Sequence, residues 1–167
     1  SVDDLVPSKE ANWTNYPKGV IWAFGEKGMK VTSGMDLLLN GNIPNGSGLS
    51  SSASVEVLTG YILRDFFGFD VTNQDLALIG QFSENKYNKV NCGIMDQFAS
   101  VFGDEGKLMR LDCNSREFEY FPFAPKGYKL VLLNSCVKHE LAGSPYNDRR
   151  NSCERVVKAV QEKHPER

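Results

Sequence analysis

Histidine is nearly absent from this chain. His139 and His164 are the only two, and neither stands in a pattern with a nucleophile, an acid or a second metal ligand, so neither is assigned a role. Cysteine is sparse and scattered. Cys92, Cys113, Cys136 and Cys153 lie 17 to 23 residues apart, which offers no paired metal-ligand spacing and no dense disulfide framework. They read as reduced thiols of a cytoplasmic protein. A dense block of Lys and Arg is missing too, and the formal net charge is −2, which argues against electrostatic capture of nucleic acid or an anionic membrane. A small molecule is the expected partner. No apolar run is long enough to span a bilayer, and the opening SVDDLVPSKE is polar and acidic, unlike a signal peptide. Internal repeats and low-complexity linkers are also lacking.

What remains is 167 residues with 41% hydrophobic content, enough for one globular domain with a core. Strand-like runs alternate with amphipathic helical ones, which indicates an α+β or α/β domain rather than a bundle. NYPKGVIWAF reads as a helix turning Tyr16, Val20, Ile21 and Phe24 inward, and VTSGMDLLLNGNIP as a strand running into a glycine turn. A long helix is expected from about Ser51 to Phe67, with Val55, Leu58, Ile62 and Phe66 at helical spacing. After a Thr72 cap, a second helix is expected from about Gln74 to Lys89. GKLMRLDC and REFEYFPF, separated by Asn114-Ser115, resemble a hairpin, and YKLVLLNS has the continuous apolar character of a buried strand. Ser144-Pro145 begins a last helix to about Lys163, with Val156, Val157 and Val160 on its apolar face and Asp148 to Arg150 on its charged one.

The stretch NIPNGSGLSSSASVEV, Asn42 to Val57, concentrates the chemistry. Pro44, Gly46 and Gly48 allow a sharp turn with little side-chain cover, and Ser50 to Ser52 are suited to cap the helix that follows. A helix start of this kind presents unpaired N–H groups and the positive end of the helix dipole, a natural anion site. The same pattern also suits a plain capped turn. It is not a Walker loop, since no lysine follows the glycines, and not a dinucleotide fingerprint, since Ser51 stands where the last glycine belongs.

Two carboxylates stand out further along. In NCGIMDQFASVFG, Gly93 permits close backbone approach and Asp96 interrupts an apolar segment, as a helix cap, a salt-bridge member or a working acid–base group. Glu84, in GQFSENKYN, is either a solvated neighbour of Lys86 or a carboxylate able to hold Mg²⁺ together with a serine hydroxyl and phosphate oxygens. Trp13 and Trp22 are large enough to anchor a core or to stack on a base, with core packing the default.

Taken in order, these pieces resemble a known family. PNGSGLSSSAS, Pro44 to Ser54, resembles the ATP-binding loop of the GHMP small-molecule kinases. CGIMDQFAS resembles the segment that carries the catalytic aspartate in the galactokinase branch, and LNSCVKHELAGSPYNDRRNSCE the sugar-side stretch that follows. The likeness runs from about Trp13 to the end of the chain. It implies that Gly46, Ser47, Gly48, Leu49, Ser50, Ser51 and Ser52 cradle ATP phosphates, with Trp13 near the adenine. It further implies that Ser52 and Glu84 hold Mg²⁺, that Asp96 faces the anomeric hydroxyl, and that Gly93 and Tyr146 contact galactose. The implied reaction is transfer of the ATP γ-phosphoryl group to O1 of galactose.

The implied fold is α+β: residues 1–135 as a partial GHMP N-terminal domain, similar to domain 2 of ribosomal protein S5, and residues 136–167 as the start of a ferredoxin-like C-terminal domain. Two of the family's motifs are not found, the opening G-R-x-N-L-I-G-E-H-x-D-Y and the late glycine-rich one. The chain is therefore expected to be an internal piece with little or no kinase activity alone, prone to self-association although full-length members are monomeric. An N-acetylgalactosamine or other sugar kinase, and a non-enzymatic ATP- and galactose-binding sensor, are the rival readings.

Overall fold

The computed structural model describes residues 2, 4–10, 12–44, 47–133 and 146–165. A short 3-10 turn at Asn12–Thr14 leads into α1 (Asn15–Glu26), followed by α2 (Ser51–Phe67) and α3 (Asn73–Phe82). A π-helical turn, Ser83–Tyr87, extends α3; α4 (Met95–Phe102), the strands β1 (Lys107–Leu111) and β2 (Phe118–Pro122), and α5 (Tyr146–Lys163) complete the order. Helices with a two-stranded antiparallel sheet make this an α+β chain.

The expected first helix is present, and it buries Val20, Ala23 and Phe24 against Leu63 of α2 and Leu76 and Ile79 of α3. Trp22 stacks flat on Phe82, their ring centroids 5.3 Å apart, so its role is packing. Gly19 is the point of closest approach: a Cβ there would lie 2.4 Å from Ser83 Oγ and 2.9 Å from the Tyr87 ring, so glycine alone lets α1 seat against the π turn. Thr72 caps α3 as expected. Its hydroxyl accepts from the Asp75 N–H (3.1 Å), and the Asp75 carboxylate accepts from the Thr72 hydroxyl (2.6 Å) and N–H (3.0 Å), two bonds that hold the Asp75 carboxyl below its usual pKa. A second apolar cluster, Ala77, Ile94 and Phe98, packs under the hairpin through Phe102 and Phe118. The strands pair with Met109 opposite Tyr120, and the Asp112 carboxylate accepts from the N–H groups of Asn114 and Ser115 in the connection.

Several expectations are corrected. The helix after Thr72 does not run evenly to Lys89 but leaves α-helical register at Phe82 for the π turn. The buried face of α2 is Ala53, Glu56, Val57, Thr59, Gly60 and Leu63, whereas Leu58 and Phe66 are exposed and Val55 and Ile62 half-buried. Small residues on that face let α1 and α3 come close, which bulky ones would prevent. Residues 31–44 are not a strand, and Leu38 is 97% exposed. Residues 128–133 are not a buried strand either; Tyr128 and Leu130 to Leu133 all face solvent. Apolar content alone does not make a strand, because a ladder partner must accept its hydrogen bonds, and neither segment has one among the described residues. The last helix carries the expected charged face, with Arg150 paired to Glu154 at 2.7 Å, but Val156, Val157 and Val160 are exposed. Its expected first residues, Ser144 and Pro145, lie outside the described residues, as do Cys136 and His139.

Candidate active site

The start of α2 takes its shape from a strained residue. Ser50 occupies the N-cap position with φ 56°, the left-handed region, and Gly48 before it has φ 75°. The Ser50 side chain makes no cap bond, which corrects the expectation that the serines cap the helix, and Ser47 Oγ instead donates to the Pro44 carbonyl at 2.7 Å. The first-turn amides of α2 therefore receive no side-chain cap, the condition under which a helix start takes an anion. Asn45 and Gly46 lie outside the described residues.

Glu84 faces this helix start because of the π turn. The wider helical turn brings Ser83, Glu84 and Tyr87 inward together, and Glu84 is only 1% exposed. It is not a solvated surface residue. The Ser52 hydroxyl lies in hydrogen-bonding reach of its carboxylate. Behind it sits Glu56, also 1% exposed, one helical turn after Ser52 on the same face of α2. With both carboxyls ionised, Glu56 Oε1 and Glu84 Oε1 would be buried without a partner, although the two side chains are within hydrogen-bonding reach of each other. Burial, followed by the Glu84 charge, raises the Glu56 pKa well above the ordinary carboxylate value. Burial also raises the Glu84 pKa, with a further contribution from Asp96, while hydrogen bonds from Glu56 and Ser52 oppose the rise.

Asp96 is half-buried in the first turn of α4, whose N-cap is Ile94, and makes no salt bridge among the described residues. Neither structural role expected for it is seen. Its neighbour Gln97 turns the other way, into the interior, and donates from Nε2 to Glu56 Oε2 at 3.3 Å. Gly80 makes room for this pair: a Cβ there would lie 3.1 Å from Gln97 Cγ and 3.6 Å from Glu56 Cβ. Cys92 and Tyr16 border the carboxylates, and burial, then the charges of Glu84 and Glu56, pushes the thiol and the phenol each up to about 12. Both remain protonated beside Glu84.

Ser52, Glu84 and Asp96 thus come together from three elements, and Gly93, exposed, lies three residues before Asp96. Tyr146, 39% exposed, opens α5 beside the loop that leads to Gly93, to which its neighbour Asn147 is hydrogen-bonded. Leu49 and Ser50, at the start of α2, also line an apolar cleft of about 350 Å³ walled by Ile43, Val57, Leu58 and Tyr61. Trp13 is 59% exposed in the 3-10 turn and does not line that cleft. Sequence reasoning missed Glu56, Gln97 and Tyr16. For Glu56 the signal was available: a carboxylate inside the apolar run ASVEVL, four residues after Ser52.

Ser52 and Glu84 fit a magnesium ion. They are hard oxygen donors, and Glu84 carries a buried oxygen that no protein donor satisfies when it is ionised. Among the described residues no group of three or more His, Cys, Asp or Glu could hold a metal, so the site would resemble those in which one carboxylate is completed by substrate phosphates.

The chain is similar to known proteins over most of its length. Residues 15–104 match the GHMP kinases N terminal domain. The galactokinase of Clostridium beijerinckii is 47% identical over 161 residues, covering 96% of this chain and 41% of that protein. For the galactokinase of Clostridium perfringens the identity is 50% over 154 residues, 92% of this chain and 40% of that protein. The crystal structure of Lactococcus lactis galactokinase complexed with galactose superposes with a TM-score of 0.89 at 38% identity, covering 96% of this chain and 42% of the other. The chain therefore spans about two fifths of the length of these relatives. Because the family match takes in more than half of the chain, and with it Ser52, Glu56, Glu84, Asp96 and Gln97, the chain belongs to the GHMP kinases through their N-terminal domain.

Proposed function

We propose that these residues form the ATP- and sugar-binding side of a galactokinase, which transfers the γ-phosphoryl group of ATP to O1 of galactose in the cytoplasm. The observation that carries this reading is the convergence of Ser52, Glu84 and Asp96 at an uncapped helix start. The galactokinase relatives and the galactose complex of the L. lactis enzyme supply the substrate. Residues 1–135 are read as the N-terminal domain and 136–167 as the start of the next, with a monomer as the full-length form.

In the proposed reaction the amides that begin α2, with Gly46, Ser47, Gly48, Leu49, Ser50 and Ser51 around them, bind the phosphates, and Trp13 covers the adenine. Ser52 and Glu84 would hold Mg²⁺, which when bound neutralises phosphate charge. Gly93 leaves room for the sugar and Tyr146 contacts it. Asp96 aligns the O1 hydroxyl and accepts its proton as the O1–phosphorus bond forms and the bond from phosphorus to the β,γ-bridging oxygen breaks. The products are galactose 1-phosphate and ADP. Most of the acceleration in such a transfer comes from positioning and charge neutralisation.

The test is galactose-dependent ADP release by the full-length protein and its Asp96→Ala variant. Turnover should fall by about a hundred- to ten-thousand-fold in the variant while ATP binding persists. The 167-residue chain assayed alone is expected to give no turnover. A variant with wild-type turnover would overturn the role of Asp96, and faster turnover of N-acetylgalactosamine than of galactose would overturn the substrate.

A further inference from the structure

The loop between the π turn and α4 is pinned from both sides. Towards the interior, the Val90 N–H donates to the Glu84 carbonyl at 3.0 Å and Gln81 Nε2 donates to the Cys92 carbonyl at 3.3 Å. Lys89 and Asn91, which alternate with these residues, are exposed and are met from outside by a single side chain. The Asn91 N–H donates to Asn147 Oδ1, and Asn147 Nδ2 donates to the Lys89 carbonyl, each at 2.9 Å. One carboxamide thus supplies an acceptor to one residue of this loop and a donor to another.

This tie holds a conformation that resists being held. Lys89 has φ 60°, a left-handed backbone that a residue with a Cβ adopts only at a cost. The tie also fixes α5. No residue of that helix is fully buried, and the carboxamide of Asn147 fastens the helix start to the loop leading to Gly93 and Asp96.

We propose that Asn147 is a positioning residue for the sugar side of the site: by bridging Lys89 and Asn91 it sets Tyr146, Gly93 and Asp96 in register with one another. The inference rests on the reading above that these three residues meet galactose. Asn147 touches neither substrate. It acts through the loop and through the first turn of α5, whereas the phosphate side is built on α2 and the π turn.

Steady-state kinetics of the full-length enzyme tests this, with galactose and ATP varied separately. Asn147→Ala should raise the galactose KM about ten-fold, the scale of two lost hydrogen bonds, and leave the ATP KM within about two-fold. Asn147→Asp keeps the acceptor but loses the donor, so it should fall between. Adding Lys89→Gly to Asn147→Ala should recover part of the galactose KM, because glycine adopts the left-handed conformation without help. A galactose KM unchanged in Asn147→Ala, or one that rises in step with the ATP KM, would overturn the role of Asn147. A wild-type protein with no galactose-dependent turnover would instead overturn the functional reading on which it rests.

Discussion

The helical body and the two extended segments contain equally apolar sequence and meet opposite fates. Phe24, Leu63, Leu76 and Ile79 are fully buried where α1, α2 and α3 converge, whereas Leu38 is 97% and Leu133 93% exposed. The difference is in the partners. A helix satisfies its own backbone hydrogen bonds and needs a neighbour only for one face, so three helices can close a core even though the connection from α1 to α2 is long. A strand needs another strand for its backbone as well as a surface for its side chains. β1 and β2 have each other across a short turn; residues 31–44 and 128–133 have no such partner among the described residues. The functional cluster follows the same division, since Ser52, Glu56, Glu84 and Gln97 all lie on the helical body.

The contrast can be broken most sharply by truncation. Phe24→Ala should destabilise the chain by about 3–5 kcal/mol, read from chemical denaturation, because it leaves a cavity among Leu63, Leu76 and Phe69. A loss below 1 kcal/mol would mean that the helical body is not the stable unit. The next largest effect is expected from the buried carboxylate. Glu56 has its pKa raised in the folded state by burial and by Glu84, so the folded form binds its proton more tightly than the unfolded form does. Stability should therefore be greatest at acid pH as far as this group is concerned, and should fall as pH rises above the unfolded value of about 4.5 and on through the folded one. Glu56→Gln should remove that slope from a series of melting temperatures, and an unaltered slope would show that Glu56 is not the group responsible. The smallest effect belongs to the extended segment: Leu38→Ala should change stability by no more than about 0.5 kcal/mol. A larger loss would reveal that Leu38 is covered in solution.

Much of the candidate site was legible as a pattern in the sequence. The glycine and serine residues from Ser47 to Ser52, the carboxylates Glu84 and Asp96, and Tyr146 stand in an order that resembles the GHMP kinases, and the family match takes in all but the last. Helix starts were legible where a local device marks them, as Thr72 and Asp75 do for α3. Glu56 and Gln97 escaped notice for a physical reason. Their importance lies in facing each other across 41 positions of sequence, and neither belongs to a chemical pattern of its own. Asn147 escaped in the same way, because its partners are backbone groups 56 and 58 residues away.

By itself the sequence determined that α1, α2, α3 and α5 would be helical, where α3 would begin, and that Lys107–Leu111 and Phe118–Pro122 would face each other. These depend on spacing within a few residues, where the chain's own geometry decides. Only the tertiary structure decided that Glu84 would be buried by a π turn, that Glu56 would stand behind it with its pKa raised, that Ser50 would strain its backbone instead of capping α2, and that two apolar runs would find no strand partner among the described residues. Burial, protonation and strand pairing are properties of what lies opposite a residue. The fold supplies that neighbour, and the local pattern does not contain it.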